Sequence, residues 1–177
     1  RSKKGRIVIV DDDMEMLSML KDFLQNEGFQ IQSYSLASEA FKDILENKIG
    51  PDNWEISEVD LILCDLNMPE MGGLEFLARM QRKAPQTPIV LITAFGSIES
   101  AIEAIRLGAF DYIPKPFKLQ EVLVIINRAL QVRKLKKENA VLKGELKEGW
   151  GFNGLIGKSP TMQAVFDLIQ KVSAAQA

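Results

Sequence analysis

Apolar and polar positions alternate in blocks along the first 118 residues. Arg6 to Val10 (RIVIV) is a short β-branched run, too short for the core of a helix. Met14 to Asn26 follows with Leu17, Leu20, Phe23 and Leu24 at helical spacing, and Glu27-Gly28 closes it as a helix end does. The pattern then predicts a strand over Phe29 to Tyr34 and a helix over Ser38 to Asn47 with Ala40, Phe41, Ile44 and Leu45 inward. Leu61-Ile62-Leu63-Cys64 reads as a fully apolar strand. A helix over Leu74 to Lys83, a strand over Ile89 to Ile92, a helix over Ile98 to Leu107 and a strand over Phe110 to Ile113 continue the alternation. From Leu119 the pattern is helical again.

Five short apolar strands alternating with helices imply parallel βαβ units, a doubly wound α/β fold whose strands are apolar on both faces. Functional residues of such sheets gather at the carboxyl ends of the strands. The chemistry is therefore expected just after Val10, Cys64, Ile92 and Ile113. The stretch from Ile49 to Glu58 (IGPDNWEISE) exceeds the usual connection of about two to six residues and is expected to be a surface excursion.

Those strand ends carry Asp11, Asp12 and Asp13, then Asp65, then Thr93, then Lys115. Several carboxylates on one rim repel one another unless a cation or an ammonium neutralises them. A hard divalent ion such as Mg²⁺, which prefers oxygen ligands and one or two carboxylates, suits the set. Asp65 is the candidate nucleophile, since carboxylates form aspartyl-phosphate intermediates. Mg²⁺ and Lys115 would supply the charge neutralisation that phosphoryl transfer asks of a protein, and Thr93 a hydrogen bond to a phosphoryl oxygen. Asp13, at the start of a helix, is expected to be an N-cap rather than a ligand.

Composition narrows the chemistry. The 177 residues include no histidine, which excludes Ser-His-Asp and Cys-His catalysis, His-ligated metals and a phosphohistidine within the chain. One cysteine, Cys64, excludes an intrachain disulfide framework and reads as a small core residue. No stretch approaches about eighteen consecutive apolar residues and no apolar signal segment opens the chain, so a soluble, cytoplasmic protein without membrane contact is expected. The opening Arg1-Ser2-Lys3-Lys4, without an initiator Met, reads as an imposed boundary. Residues 1–118 hold 13 basic against 19 acidic side chains, a net of −6, while residues 119–177 hold 9 against 5, a net of +4. That split suggests two units with different tasks, and the basic excess is too small and dispersed to indicate contact with DNA.

The motifs IVIVDDD, LILCDLNMPEMGG, LITAFGS and FDYIPKPF, in that order and spacing, resemble those of bacterial response-regulator receiver domains. The resemblance covers about residues 5–130 and implies a flavodoxin-like five-stranded parallel sheet. It implies that Asp65 accepts a phosphoryl group from a sensor histidine kinase. It further implies that Asp12, Asp65 and the backbone carbonyl of Asn67 bind Mg²⁺, with Asp11 acting through water. Thr93 and Tyr112 would be a switch pair, Lys115 the phosphate-contacting cation, and the Lys115-Pro116 bond cis.

Beyond the receiver, Ile125, Val132, Asn139 and Leu146 fall seven apart, with Leu135 and Leu142 between them. Arg128 is an imperfect member of the set. This is a coiled-coil pattern of about three heptads, and a polar residue such as Asn139 at a core position fixes register and favours a two-stranded parallel pairing. A homodimer through this linker helix is expected. Gly149, Gly151, Gly154 and Gly157 then break the helix around Trp150 and Phe152. GFNGLIGKSP is not a phosphate loop, because the first required glycine falls on Phe152, so no nucleotide-binding residue is expected in the chain. NGLIGKSPTMQAVFDLIQKVSA instead resembles the opening of the AAA+ ATPase domain of NtrC/DctD-type sigma-54-dependent activators, whose phosphate loop lies beyond such a segment.

The expected organisation is a receiver over 5–122, a coiled-coil linker over 123–148 and a truncated AAA+ segment over 149–177. The chain itself would be a regulatory phospho-acceptor rather than an enzyme. Its longer parent would pass the signal to a downstream AAA+ domain and sigma-54 RNA polymerase, and so to transcription. Two rivals differ in class. A haloacid-dehalogenase-like phosphatase would want a second Asp where Asn67 stands, and a structural dimerisation adaptor would carry a silent receiver.

Overall fold

The computed structural model describes residues 4–94, 98–149, 151–152 and 155–156. Five strands form one sheet: β1 (Arg6–Val10), β2 (Gln30–Tyr34), β3 (Leu61–Asp65), β4 (Ile89–Thr93) and β5 (Asp111–Pro114). Their order is β2-β1-β3-β4-β5 and every pairing is parallel. Helices α1 (Met14–Asn26), α2 (Ala37–Glu46), α3 (Gly73–Lys83) and α4 (Ile98–Arg106) alternate with them, and α5 (Leu119–Gly149) follows β5. The strand order reverses between β1 and β3, the place where doubly wound sheets open a crevice at their carboxyl ends. Val10 pairs with Cys64, and Asp65 pairs with Ile92, so the sheet register brings the strand-end residues to one level.

Alternation along the strands divides the core between two faces. Ile7, Ile9, Leu61, Leu63, Val90 and Ile92 pack with Leu17, Leu20 and Leu24 of α1 and with Val122, Ile126 and Ala129 of α5. Val8, Val10, Ile62, Cys64, Ile89 and Leu91 pack with Ala37, Ala40 and Ile44 of α2, with Phe76, Leu77 and Met80 of α3, and with Ala104 of α4. Burial on both faces explains why the middle strands read as unbroken apolar runs. β2 (QIQSY) lies at the sheet edge and buries only Ile31, so it is not apolar on both faces as expected. Leu45, expected inward, is exposed: Ala37, Ala40 and Ile44 form the inward stripe of α2, and Leu45 turns past it. Phe41 is half-buried and packs edge-to-face on Phe76 at 6.4 Å.

The connection from α2 to β3 runs over the surface as expected, with Pro51, Asp52, Asn53, Glu55, Ser57 and Glu58 exposed, but two of its residues anchor it in the core. Ile49 and Trp54 form an antiparallel bridge with two backbone hydrogen bonds of 3.0 Å, and both side chains are buried in the core. Gly50 at φ +64° and Asn53 at φ +50° supply the left-handed turn that folds the segment back. Tyr34 Oη holds the turn to the sheet edge, donating to Asp43 at 2.8 Å and accepting from Gly50 N at 2.8 Å. A 3₁₀ turn (Ile56–Glu58) completes the connection, and Arg6 stacks over the Trp54 ring at 5.2 Å while pairing with Glu58.

By contact the chain divides into Arg1–Arg133 and Lys134–Ala177. In the first unit, Val122, Ile126, Ala129 and Arg133 make the buried stripe of α5, so the packing reaches further along this helix than residue 122. Ile125, grouped with the dimerisation residues, is half-buried against the same core. Arg128 pairs with Asp111 and stacks over Phe110 at 5.4 Å, a use within the receiver that accounts for its poor fit to the heptad. Arg133 Nη2 donates to Ser57 O at 3.0 Å.

In the second unit every side chain of α5 from Lys134 to Lys143 is exposed, Leu135 by 64% and Leu142 by 59%. Gly151–Phe152 (β6) and Leu155–Ile156 (β7) pair antiparallel. The AAA+-like stretch from Gly157 onward, the side chain of Leu146, and the Phe95-Gly96-Ser97 end of the third motif lie outside the described residues. No described helix is long and apolar enough to cross a membrane.

Candidate functional site

Asp11 and Asp12 follow the last residue of β1, Asp65 ends β3, Thr93 ends β4, and Lys115 follows β5. The doubly wound sheet therefore brings together residues that are up to 104 positions apart. Asp13 caps α1, its carboxylate accepting from Glu15 N at 2.9 Å and Met16 N at 3.2 Å, so it faces away from ligation as expected. Asp11 is buried, and its Oδ1 accepts from Asp13 N at 2.9 Å. Its Oδ2 receives the ammonium of Lys115 at 3.2 Å, and the same Nζ lies 3.2 Å from Asp65 Oδ1.

Burial pushes the Asp65 carboxyl above the usual carboxylate range, the neighbouring charge of Asp11 adds to the push, and Lys115 opposes both. Burial likewise raises Asp11, against the Asp13 amide and Lys115, which lower it. For Lys115, burial alone would lower the ammonium, but Asp11 and Asp65 together hold it above its ordinary value. Cys64 is fully buried, its thiol pushed well up, and it donates to Asp65 O at 3.3 Å; it is core, as its sequence position suggests.

One carboxylate oxygen from each of Asp11, Asp12 and Asp65 lies within 4.8 Å of the others, Asp12 from the exposed side. Three carboxylates facing a single ammonium leave the rim negative, and all the donors are hard oxygens. The residues present therefore fit Mg²⁺ and not zinc.

Thr93 is fully buried beside the rim, and Asn67 Nδ2 donates to its hydroxyl at 3.2 Å. The reading of Asn67 as a backbone ligand alone misses that side-chain bond, which no local pattern announces. The ring of Tyr112 packs half-buried against the core, and its hydroxyl is buried with no hydrogen-bond partner among the described residues. The Lys115-Pro116 peptide is cis, as expected.

A family model for the response regulator receiver domain matches residues 7–127. Among characterised proteins, the chain is 35% identical over 176 residues to regulatory protein AtoC of Escherichia coli (strain K12), covering 98% of this chain and 35% of that protein. It is 30% identical over 171 residues to the DNA-binding transcriptional regulator NtrC of Proteus hauseri, covering 97% of this chain and 33% of that one. The chain thus spans about a third of the length of these relatives. Among solved structures, a receiver domain protein from Clostridium thermocellum superposes with a TM-score of 0.67 at 27% identity, over 74% of this chain and 98% of that one. NtrX from Brucella abortus in complex with ADP superposes with a TM-score of 0.68 at 28% identity, over 95% of this chain and 34% of that one.

Proposed function

The chain belongs to the response-regulator receiver family, and from that premise we propose that Asp65 is its phospho-acceptor, charged by a sensor histidine kinase. The observation that carries this reading is the shared ammonium: Lys115 Nζ stands 3.2 Å from both Asp11 and Asp65, at the carboxyl edge of the sheet. With no histidine in the chain, the phosphoryl donor must come from outside it. An Asp65 carboxylate oxygen attacks phosphorus, the P–O bond forms as the P–N bond to the donor imidazole breaks, and the electron pair returns to the leaving nitrogen.

Asp12, Asp65 and the Asn67 carbonyl are the proposed donors to Mg²⁺, with Asp11 acting through water. When bound, the ion neutralises negative charge on the transferring group. Lys115 would answer the same charge and stays protonated, its acidity held down by the two carboxylates. Thr93 and Tyr112 form the proposed switch. The Thr93 hydroxyl exchanges its bond from Asn67 for one to a phosphoryl oxygen. The Tyr112 hydroxyl is buried with no hydrogen-bond partner among the described residues, and the proposed switch turns on a change in the pose of this ring.

Outside the receiver unit, Leu135, Asn139 and Leu142 lie on an exposed helix with an apolar seam, which supports a parallel homodimer completed by Val132 and Leu146. Residues 123–148 as linker and 149–177 as the start of an AAA+ domain complete the proposed architecture. In the longer protein, the phosphorylated receiver dimer would control that ATPase and, through it, sigma-54 RNA polymerase. A cytoplasmic location goes with this role.

The phosphatase alternative loses support at Asn67. The residue two beyond the nucleophile is an amide donating to Thr93, where a second catalytic acid would be needed. Incubation with acetyl phosphate and Mg²⁺ tests the proposal by intact mass. A single added phosphoryl group in the wild type, absent from Asp65→Asn and absent without Mg²⁺, is expected. Phosphorylation that persists in Asp65→Asn overturns it.

A further inference from the structure

We propose that Gly73 is a positioning residue for metal binding, acting through the loop from Leu66 to Gly72, an inference that rests on the Asn67 carbonyl being a metal donor. Two glycines stand side by side where this loop enters α3, and the structure places different demands on them. Gly72 is the N-cap at φ −72° and ψ 161°, a conformation open to any residue. A Cβ there meets only Leu66 O, at the ordinary contact distance of 3.6 Å. A Cβ on Gly73 would stand 2.8 Å from Leu66 Cα, 3.1 Å from the Asp65 carbonyl carbon and closer still to the Asp65 carbonyl oxygen. These are backbone atoms of the phospho-acceptor and its neighbour, and they cannot rotate aside as a flexible side chain does. The bare Cα lets Gly73 N donate to Leu66 O at 2.8 Å, which closes the loop on itself.

Which side yields to an added methyl decides the outcome. β3 is buried along its whole length and paired in register with β1 and β4, and Leu66 N continues the ladder to Ile92 O at 2.8 Å. α3 is seated in the core by Phe76, Leu77 and Met80. Between them the loop carries Asn67, Pro69 and Glu70 exposed, while Leu66 and Met71 are buried in the core and Met68 packs against it. Crowding at Gly73 falls on Leu66, the residue before Asn67, and so shifts the Asn67 carbonyl and the Asn67–Thr93 bond, while the Asp65 carboxylate, on a strand paired on both sides, keeps its place beside Lys115.

The test titrates Mg²⁺ into the wild type, Gly72→Ala and Gly73→Ala, following backbone amide shifts by NMR, with circular dichroism and thermal melting to establish the fold. Groups that orient a metal's ligands typically govern its affinity by about 10–100-fold, and Gly73→Ala is expected to weaken Mg²⁺ binding by at least about tenfold, with Gly72→Ala near the wild type. In acetyl phosphate labelling, the Mg²⁺ concentration giving half-maximal rate rises for Gly73→Ala while the rate at saturating Mg²⁺ holds, a split that general loosening of the fold does not produce. Wild-type protein that does not bind Mg²⁺ overturns the metal reading itself. Wild-type binding matched by a folded Gly73→Ala overturns the role of Gly73 alone. Should Gly73→Ala not fold, the wild-type Gly73 amide decides: it must shift with Mg²⁺ more than that of Gly72, and an unmoved resonance sinks the proposal.

Discussion

Lys115 Nζ lies 3.2 Å from Asp65 Oδ1, and that one ammonium also serves Asp11. Two buried carboxylates share a single cation, and Asp12 adds a third negative charge from the exposed side. The rim is built to take up positive charge and is uncomfortable without it.

A consequence for stability follows from the direction of the acid shifts. Asp11 and Asp65 are raised above 3.8, first by burial, so their contribution to stability is present below that value and is lost as pH rises through their folded-state values. At pH 7, without divalent ions, the ionised pair detracts from stability. Asp65→Asn is expected to unfold at higher urea than the wild type in chelated buffer at pH 7, by on the order of 1 kcal/mol. The difference should shrink on acidification toward the ordinary carboxylate value. A less stable Asp65→Asn at pH 7 contradicts this account of the rim.

Lys115→Ala removes the shared partner and leaves two buried carboxylates facing each other. The expected loss is roughly 3 kcal/mol at pH 7, toward the low end for breaking a buried pair because the lysine retains some exposure. Lys115 titrates above 10.5 in the folded protein, so its own contribution is present below that value and fades as pH rises through the raised one. Acid also removes it, by protonating its partners. Urea melts of both proteins across pH, with and without Mg²⁺, check this, and Mg²⁺ should restore part of the loss in the variant.

Arg133 gives a contrasting case. It is 6% exposed, and Nε and Nη1 have no hydrogen-bond partner among the described residues, though Nη1 lies 3.8 Å from Asp60 Oδ1. Burial lowers its pKa against the pull of Asp60. A buried charge this poorly satisfied contributes little beyond packing. Arg133→Met should stay within about 1 kcal/mol of the wild type, whereas Arg133→Ala, which leaves a cavity, should lose roughly 2–4 kcal/mol. Equal losses in the two variants would assign the role to the charge.

The linker helix is tested by sedimentation. A dimer is expected at tens of micromolar, and Leu135→Lys with Leu142→Lys should make it monomeric. Asn139→Ile should strengthen association while loosening its preference for two strands, since the polar core residue sets register at a cost in stability. A wild-type chain that stays monomeric with or without phosphorylation removes the dimer from the mechanism.

The strands and the rim were legible because a buried parallel sheet writes itself as apolar runs ending in chemistry. Val10 is followed by Asp11, Cys64 by Asp65, and Ile113 is soon followed by Lys115. The exposed Leu45 and the edge strand β2 were less so, because a stripe of Ala37, Ala40 and Ile44 is narrower than its neighbours suggest and an edge needs only one buried face. Ile49 and Trp54 sit among turn residues, with no periodicity to mark them as core. Gly72-Gly73 reads only as a turn, and nothing local says which glycine a backbone crowds.

The bridge between Ile49 and Trp54 also places a fluorophore. Trp54 is 3% exposed, in a segment that leads into the amino end of β3, while Asp65 closes the carboxyl end of the same strand. Five residues of extended chain separate the two levels by roughly 13–17 Å. The indole emission of this tryptophan thus reports whether the receiver is folded and stays largely silent when the rim is charged. With Trp150 replaced by Phe, the protein carries an internal gauge of unfolding that a Mg²⁺ titration does not disturb.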